Sequence, residues 1–213
     1  MTASRVISVA LAFLGMCGMG AAVGQEGNSA TSSGLDYSVA AELKKLFDED
    51  QADRSGLVPG KSVDWEAISM RDETRELRVK ELIQAGVLSS GADYFHAAMV
   101  LQHAPAPDDY LLTHDLCVIA ISKGEERAKW LAAASLDRFL IGIGRPQRFG
   151  TQFQSRRTFV PPKLAPVDPT VPDQLRRELN VPTLEEAKKR EAAMAKEFEE
   201  MRRVIKRSNA PEG

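Results

Sequence analysis

Between residues 93 and 141 three apolar segments of helical length follow one another directly, and that run limits the folds open to the chain. The spacing of apolar residues predicts helices over 93–104, 109–123 and 125–141. Pro105 and Pro107 break the first from the second, Asp108 is placed to cap the second, and Gly124 separates it from the third. Links this short make neighbouring helices antiparallel. Upstream, Val39, Leu43, Leu46 and Phe47 predict a helix over 37–54, closed by Ser55-Gly56-Leu57-Val58-Pro59-Gly60. A charged helix over 64–85 follows, stopped by Gly86. The stretch 142–172 holds Pro146, Pro161, Pro162, Pro166, Pro169 and Pro172, and no helix of ordinary length fits there. The expectation is an all-α single domain of antiparallel helices with a long Pro-rich loop.

A last amphipathic helix begins at the capping box Thr183-Leu184-Glu185-Glu186 and runs to about 207. Ala187, Met194, Phe198, Met201 and Ile205 form its seam, with Glu185–Lys189, Glu186–Arg190 and Glu199–Arg203 as supporting pairs. Glu191 interrupts the seam, so packing on its own domain and self-association with another chain both stay open. The small residues Gly124, Ala128 and Ala132-Ala133-Ala134, with Trp130-Leu131, resemble one hairpin unit of a tetratricopeptide or Sel1 repeat. No second copy follows at the repeat spacing, so a solenoid is not expected.

Composition excludes whole classes. Among 213 residues, 28 Lys and Arg face 30 Asp and Glu, so no electrostatic footprint for nucleic acid exists. The N-terminal 1–24 read as a signal peptide: Arg5 leads, residues 6–23 are uncharged and apolar, and Ala22-Val23-Gly24 supplies small residues for cleavage. Gly15, Gly18 and Gly20 argue against an uncleaved span. Cys17 follows Met16, where a lipoprotein signal needs a small residue. The expectation is an exported protein, periplasmic or extracellular, with no stable membrane span after cleavage. Residues 25–36 form a flexible leader, 37–182 the helical domain and 183–213 the C-terminal helix and tail. Cleavage would leave Cys117 as the lone thiol, so stability must come from packing and no disulfide is expected. Within Leu116-Cys117-Val118 it reads as a small apolar filler.

Polar groups on apolar stripes mark where function could sit. His96, Met99, Val100 and His103 share one helical stripe; Tyr110, His114, Cys117 and Ile121 share the next; Trp130, Ala134, Asp137 and Ile141 the third, with Arg138 beside them. The first helix carries its stripe into Asp50, Gln51 and Arg54. Buried polar groups need partners, so each could be structural. Histidine, carboxylate and arginine on consecutive helices are also the makings of a site between them. His103, His114 and Asp137 are the candidate acid–base residues, and His96, Gln102, Arg138, Asp50, Gln51 and Arg54 candidate ligand contacts. The separation of His96 from His103, about 10.5 Å along an axis, is poor for chelation, so no metal set is assigned. The loop Gly144-Arg145-Pro146-Gln147-Arg148-Phe149-Gly150-Thr151-Gln152-Phe153 adds Gln147, Thr151 and Gln152 as candidates.

The words Phe95-His96-Ala97-Ala98, Gln102-His103-Ala104, Asp109-Tyr110-Leu111-Leu112-Thr113-His114, Leu136-Asp137-Arg138-Phe139-Leu140 and Gly144-Arg145-Pro146-Gln147 with Gly150-Thr151-Gln152 together resemble a bacterial exported domain family of unknown function. The resemblance implies no activity, cofactor or partner. Members often carry an aspartate where this chain has Pro105, which removes a carboxylate beside His103. Three functions follow as expectations: a domain binding a small molecule or peptide in a His/Asp/Arg-lined pocket, a hydrolase-type enzyme using a His–Asp pair, or a helical protein-interaction scaffold.

Overall fold

A computed structural model describes residues 33–55, 63–155 and 160–208, with side chains described over 38–55, 63–155 and 160–204. The expected signal peptide and leader lie outside the described residues, apart from the last few positions of the leader. Seven helices carry the described chain: α1 (Ser33–Ser55), α2 (Trp65–Gln84), α3 (Gly91–Leu101), α4 (Pro107–Ser122), α5 (Ala128–Gly142), α6 (Asp173–Glu178) and α7 (Leu184–Ser208). One two-stranded antiparallel ribbon, β1 (Phe153–Gln154) with β2 (Lys163–Leu164), pairs Phe153 with Leu164 and Gln154 with Lys163. The all-α expectation holds. None of these helices is long and apolar enough to cross a membrane.

α3, α4 and α5 pack in sequence order, and α1 and α2 lie against α3. The seam between them is the main core, where Leu43, Val79, Leu101, Cys117, Ala120 and Leu131 are buried. Alanines at 97, 98, 120, 128 and 132 let the helices approach closely. Removing an exposed Leu or Val to such a core gains about 1.5–3 kcal/mol, which offsets the poor intrinsic preference of β-branched residues for helix.

Helix ends follow local chemistry, with two departures from expectation. α3 starts at Gly91 rather than 93 because Ser90 and Asp93 form a capping box: Asp93 N donates to Ser90 Oγ at 3.1 Å and Ser90 N to Asp93 Oδ2 at 2.8 Å. It stops at Leu101, short of 104, because the residue before Pro105 is pushed out of the helical region. His103 therefore sits in the turn, off the stripe that carries His96. Asp108 does not cap α4. Ala106 holds that position without a side-chain bond, and Pro107 occupies the first turn, where its missing N–H is no loss. α5 begins at Ala128, after Gly124 has adopted φ 87° and Glu125 N has bonded Ala120 O.

The Pro-rich stretch is ordered by buried side chains standing in for regular secondary structure. Gln147, fully buried, donates through Nε2 to Gln152 O (3.0 Å) and Ala165 O (2.9 Å), and its Oε1 accepts from Gln152 N (2.9 Å). Arg176 on α6, 1% exposed, donates to the carbonyls of Phe149, Val171 and Arg148. Phe149, Val171 and Val181 pack on Ala133 beneath this loop. The Thr183 box forms as expected, with Glu186 Oε2 accepting from Thr183 N and Oγ1 at 2.7 Å each. Lys189 pairs Glu185 at 2.7 Å, while Glu199 pairs Arg202 in place of Arg203. Ala187 is buried, whereas Met201 and Val204 are exposed.

Candidate functional site

The polar residues flagged on the helices separate into three groups. The first is a charged ladder between α1 and α2. Asp50, fully buried, accepts from Arg54 Nη1 and Gln51 Nε2 at 2.7 Å each. Arg54 Nη2 reaches Asp72 at 2.8 Å; Arg75 Nη2 spans Asp72 (2.6 Å) and Asp53 (2.8 Å). Carboxylates and guanidiniums alternate here, so each buried charge has an opposite neighbour. Asp50, Gln51 and Arg54 are thus engaged with one another and with α2. The ladder clamps α1 onto α2 at one end of the core.

The second group surrounds the α3–α4 turn. His103 Nε2 lies 3.6 Å from Asp50 Oδ1, too far for a hydrogen bond, and this buried nitrogen has no other partner among the described residues. Burial pushes the His103 pKa below its usual value; Asp50 opposes that shift, and the positive charges of Arg54 and Arg138 add to it. Arg138, from α5, donates through Nη1 to Gln102 O at 2.9 Å and through Nε to Gln152 Oε1 at 3.2 Å. Its guanidinium carbon stands 5.9 Å from the centre of the Tyr110 ring. Gln152 is itself held by Thr151: its Nε2 donates to Thr151 Oγ1 at 2.9 Å. Every partner of Arg138 is neutral. Among the described residues no carboxylate lies within ion-pair distance of it, and burial draws its pKa down.

On α2, Glu76 is 8% exposed, and among the described residues no hydrogen bond or ion pair reaches it. Burial raises its carboxyl from 4.5 to about 7; Lys80 opposes the shift, and Asp72 and Asp109 add to it. Lys80 Nζ is held by Asp109 Oδ1 at 2.5 Å, tying α2 to α4.

The third group is structural. Asp137 Oδ1 accepts from Arg148 N (2.7 Å) and Phe149 N (2.9 Å), and its Oδ2 from Thr151 N (3.0 Å) and Thr151 Oγ1 (2.8 Å). Both oxygens are therefore taken up in fastening the loop to α5. His114 Nδ1 lies 2.8 Å from Ala132 O, a bond between α4 and α5. His96 stacks on Phe47 with ring centres 4.8 Å apart, and burial and the Arg127 charge lower its pKa. Among the described residues no hydrogen bond or ion pair joins His96, His114 or Asp137 to His103; each has its own contacts, His96 with Phe47, His114 with Ala132 and Asp137 with the 148–151 loop. Of the flagged set the structure brings together His103, Gln102, Arg138, Gln152, Asp50 and Arg54, with Thr151 behind Gln152 and Gln147 in the loop scaffold.

Tyr110, placed on a stripe but not among the candidates, lies beside Arg138, and Asp72, which the sequence did not mark, joins the ladder through Arg54; Glu76, a buried acid of α2, was not marked either. The signal was present: Ile68, Asp72, Arg75, Glu76, Val79 and Leu82 follow helical spacing, so three polar residues occupy core-facing positions. Elsewhere, a cleft of about 240 Å³ at the C-terminal end of α5, bordered by Ile141, Arg145, Pro146, Gln154, Ala165 and Pro166, contains none of the histidines. No three His, Cys, Asp or Glu side chains among the described residues are grouped to hold a metal ion. Cys117 is buried with its thiol pushed up to about 12, far from nucleophilic.

No protein-family model, curated protein or solved structure matches the chain.

Proposed function

We propose that the chain is an exported helical binding domain that takes the anionic group of a small molecule or peptide at Arg138. One observation carries this reading: a partly buried guanidinium whose hydrogen-bond partners are all neutral acceptors. Buried charges are ordinarily paired, because an ion withdrawn from water without a counter-charge costs several kcal/mol. The ladder a few residues away follows that rule throughout; Arg138 departs from it. Its Nη1 and Nε are bonded to Gln102 and Gln152 and it lies beside the Tyr110 ring, while Nη2 makes no hydrogen bond among the described residues and is free to meet an acceptor. Neutral His103 beside it can donate or accept. Acid–base chemistry has less support, since Asp50 is committed to Arg54 and Gln51 and, among the described residues, no hydroxyl or thiol bonds His103.

The test is thermal unfolding of the full chain with acetate, succinate or sulfate, beside Arg138→Gln and Arg138→Lys. A saturable rise in Tm is expected for the parent protein with at least one of these anions, absent in Arg138→Gln and weakened in Arg138→Lys. An identical rise in all three proteins would show ions acting generally and refute the assignment.

A further inference from the structure

We infer that α7 is the contact surface for a second copy of this chain, the two helices lying antiparallel along the seam of Met194, Phe198 and Met201. The inference is independent of the Arg138 reading. Only the start of α7 belongs to the domain. Thr183 Oγ1 accepts from Glu186 N at 3.3 Å, Leu184 N donates to Asp173 Oδ1 at 2.9 Å, and Ala187 is buried. The main packing of α7 on the rest of the fold is with β2. Beyond Ala187 no described side chain of α7 is buried, and neither apolar core takes in Met194, Phe198 or Met201. Met201 and Val204 are 47% and 64% exposed.

The spacing of this uncovered seam suits another helix. Ala187, Met194 and Met201 recur every seven residues, and Phe198 stands four after Met194 and three before Met201. That is a 3.5-residue repeat, with which one helix meets another along a shared seam. Ile205 continues it in the sequence. A helix draws most of its stability from packing its amphipathic face, and here the domain packs only the first turn. From Met194 to Ile205 the seam runs about 16 Å, so the pairing is of modest strength and depends on concentration.

Charge selects the occupant and its direction. Residues 191–200 carry Glu191, Glu197, Glu199 and Glu200 against Lys196, while residues 202–207 carry Arg202, Arg203, Lys206 and Arg207 with no acid. Two copies running the same way would set acid against acid and base against base. Reversed, the basic end of each helix lies beside the acidic stretch of the other. Burial of Ala187 points the same way, because the domain occupies the seam there. An in-register parallel partner is thereby blocked, while residues 194–205 stay open to a reversed one. In that alignment Phe198 meets Met201 of the second copy and Met201 meets its Phe198, the reciprocal contact of a two-fold interface. Each pair sets a thioether against a ring.

Sedimentation velocity of the full chain over a concentration series tests this. Apparent mass should rise towards twice the monomer as concentration increases. Phe198→Lys should weaken association about tenfold or more, because it places a charge in both central layers, and should leave the urea midpoint of the monomer unchanged. For direction, Phe198→Cys mixed with Met201→Cys under oxidation should cross-link faster than either variant alone. A chain still monomeric at about 1 mM would overturn the proposal, as would association that Phe198→Lys leaves intact. A lowered midpoint in monomeric Phe198→Lys would place the seam on its own domain and overturn it too. Faster cross-linking of Phe198→Cys alone would overturn the antiparallel arrangement.

Discussion

Replacing Glu76 by Gln should stabilise the protein at alkaline pH and leave it nearly unchanged in acid. In the folded chain burial lifts the Glu76 carboxyl from 4.5 to about 7. Below pH 4.5 the group is protonated whether the chain is folded or not, so it adds no pH-dependent term. Between 4.5 and 7 the unfolded chain loses the proton while the folded chain keeps it, and stability falls as pH rises. Above 7 the penalty is complete. A shift of this size corresponds to about 3 kcal/mol at 1.36 kcal/mol per unit, reduced by water reaching the carboxyl edge, which leaves about 1–3 kcal/mol. The glutamine keeps the shape and abolishes the ionisation. Urea unfolding of both proteins, at about pH 4 and about pH 8, gives the difference directly. The variant should gain about 1–3 kcal/mol over the parent at the higher pH and little at the lower. A constant difference at both values, or a variant less stable at the higher pH, would refute the argument that Glu76 is an unpaired buried acid.

Three further outcomes follow from the same geometry. Asp137→Asn should cost about 2–4 kcal/mol, since four donors of the loop lose their anionic acceptor, and should expose the segment after Gly144 to limited proteolysis; an unchanged urea midpoint would contradict the fastening role. His103 should titrate below 6.5 by NMR, so stability falls as pH drops from 6.5 through that lower value, and Asp50→Asn should move the midpoint lower still, because Asp50 supplies the opposing charge; a rise on substitution would refute the assignment. Cys117 should resist thiol reagents in the folded protein and react on unfolding, given a thiol pushed up to about 12 in a sealed site.

Much of the fold was legible because its determinants are local. The apolar runs, Gly86, Pro105, Pro107, Gly124 and the Thr183–Glu186 box place six of the seven described helices within a few residues of where they lie. The ends of α3 depended on details that periodicity does not carry: a second capping box at Ser90–Asp93 and the constraint that Pro105 imposes on its predecessor. That small error mattered, because three residues of missing helix take His103 off the stripe of His96 and turn it toward Asp50. α6 was missed because its six residues lie under the shadow of Pro172 and hold their place through Arg176, a buried cation bonded to carbonyls 5, 27 and 28 positions away. The ribbon of β1 and β2 is too short to show an alternation.

The candidate site was legible only in part for a related reason. Sequence spacing tells which face of a helix a residue is on, but not which partner occupies that face. Asp137 and Arg138 are adjacent, yet one accepts from three loop amides and the Thr151 hydroxyl, while the other meets no carboxylate among the described residues. Glu76 was hidden in a helix crowded with charge, where one unpaired carboxylate resembles its paired neighbours. Pairing is a tertiary property, and the unmatched charges emerge only after the matched ones have been counted.

The central claim is that Arg138 awaits an anion. The most direct measurement is the ¹H–¹⁵N signal of the Arg138 side chain, assigned through Arg138→Lys, as acetate or glycine is added to the full chain. A saturable shift of that signal, with the arginines of the α1–α2 ladder unmoved, is the predicted result. A signal that stays still while the anion is raised to high concentration, or that moves together with every exposed arginine, would contradict the account.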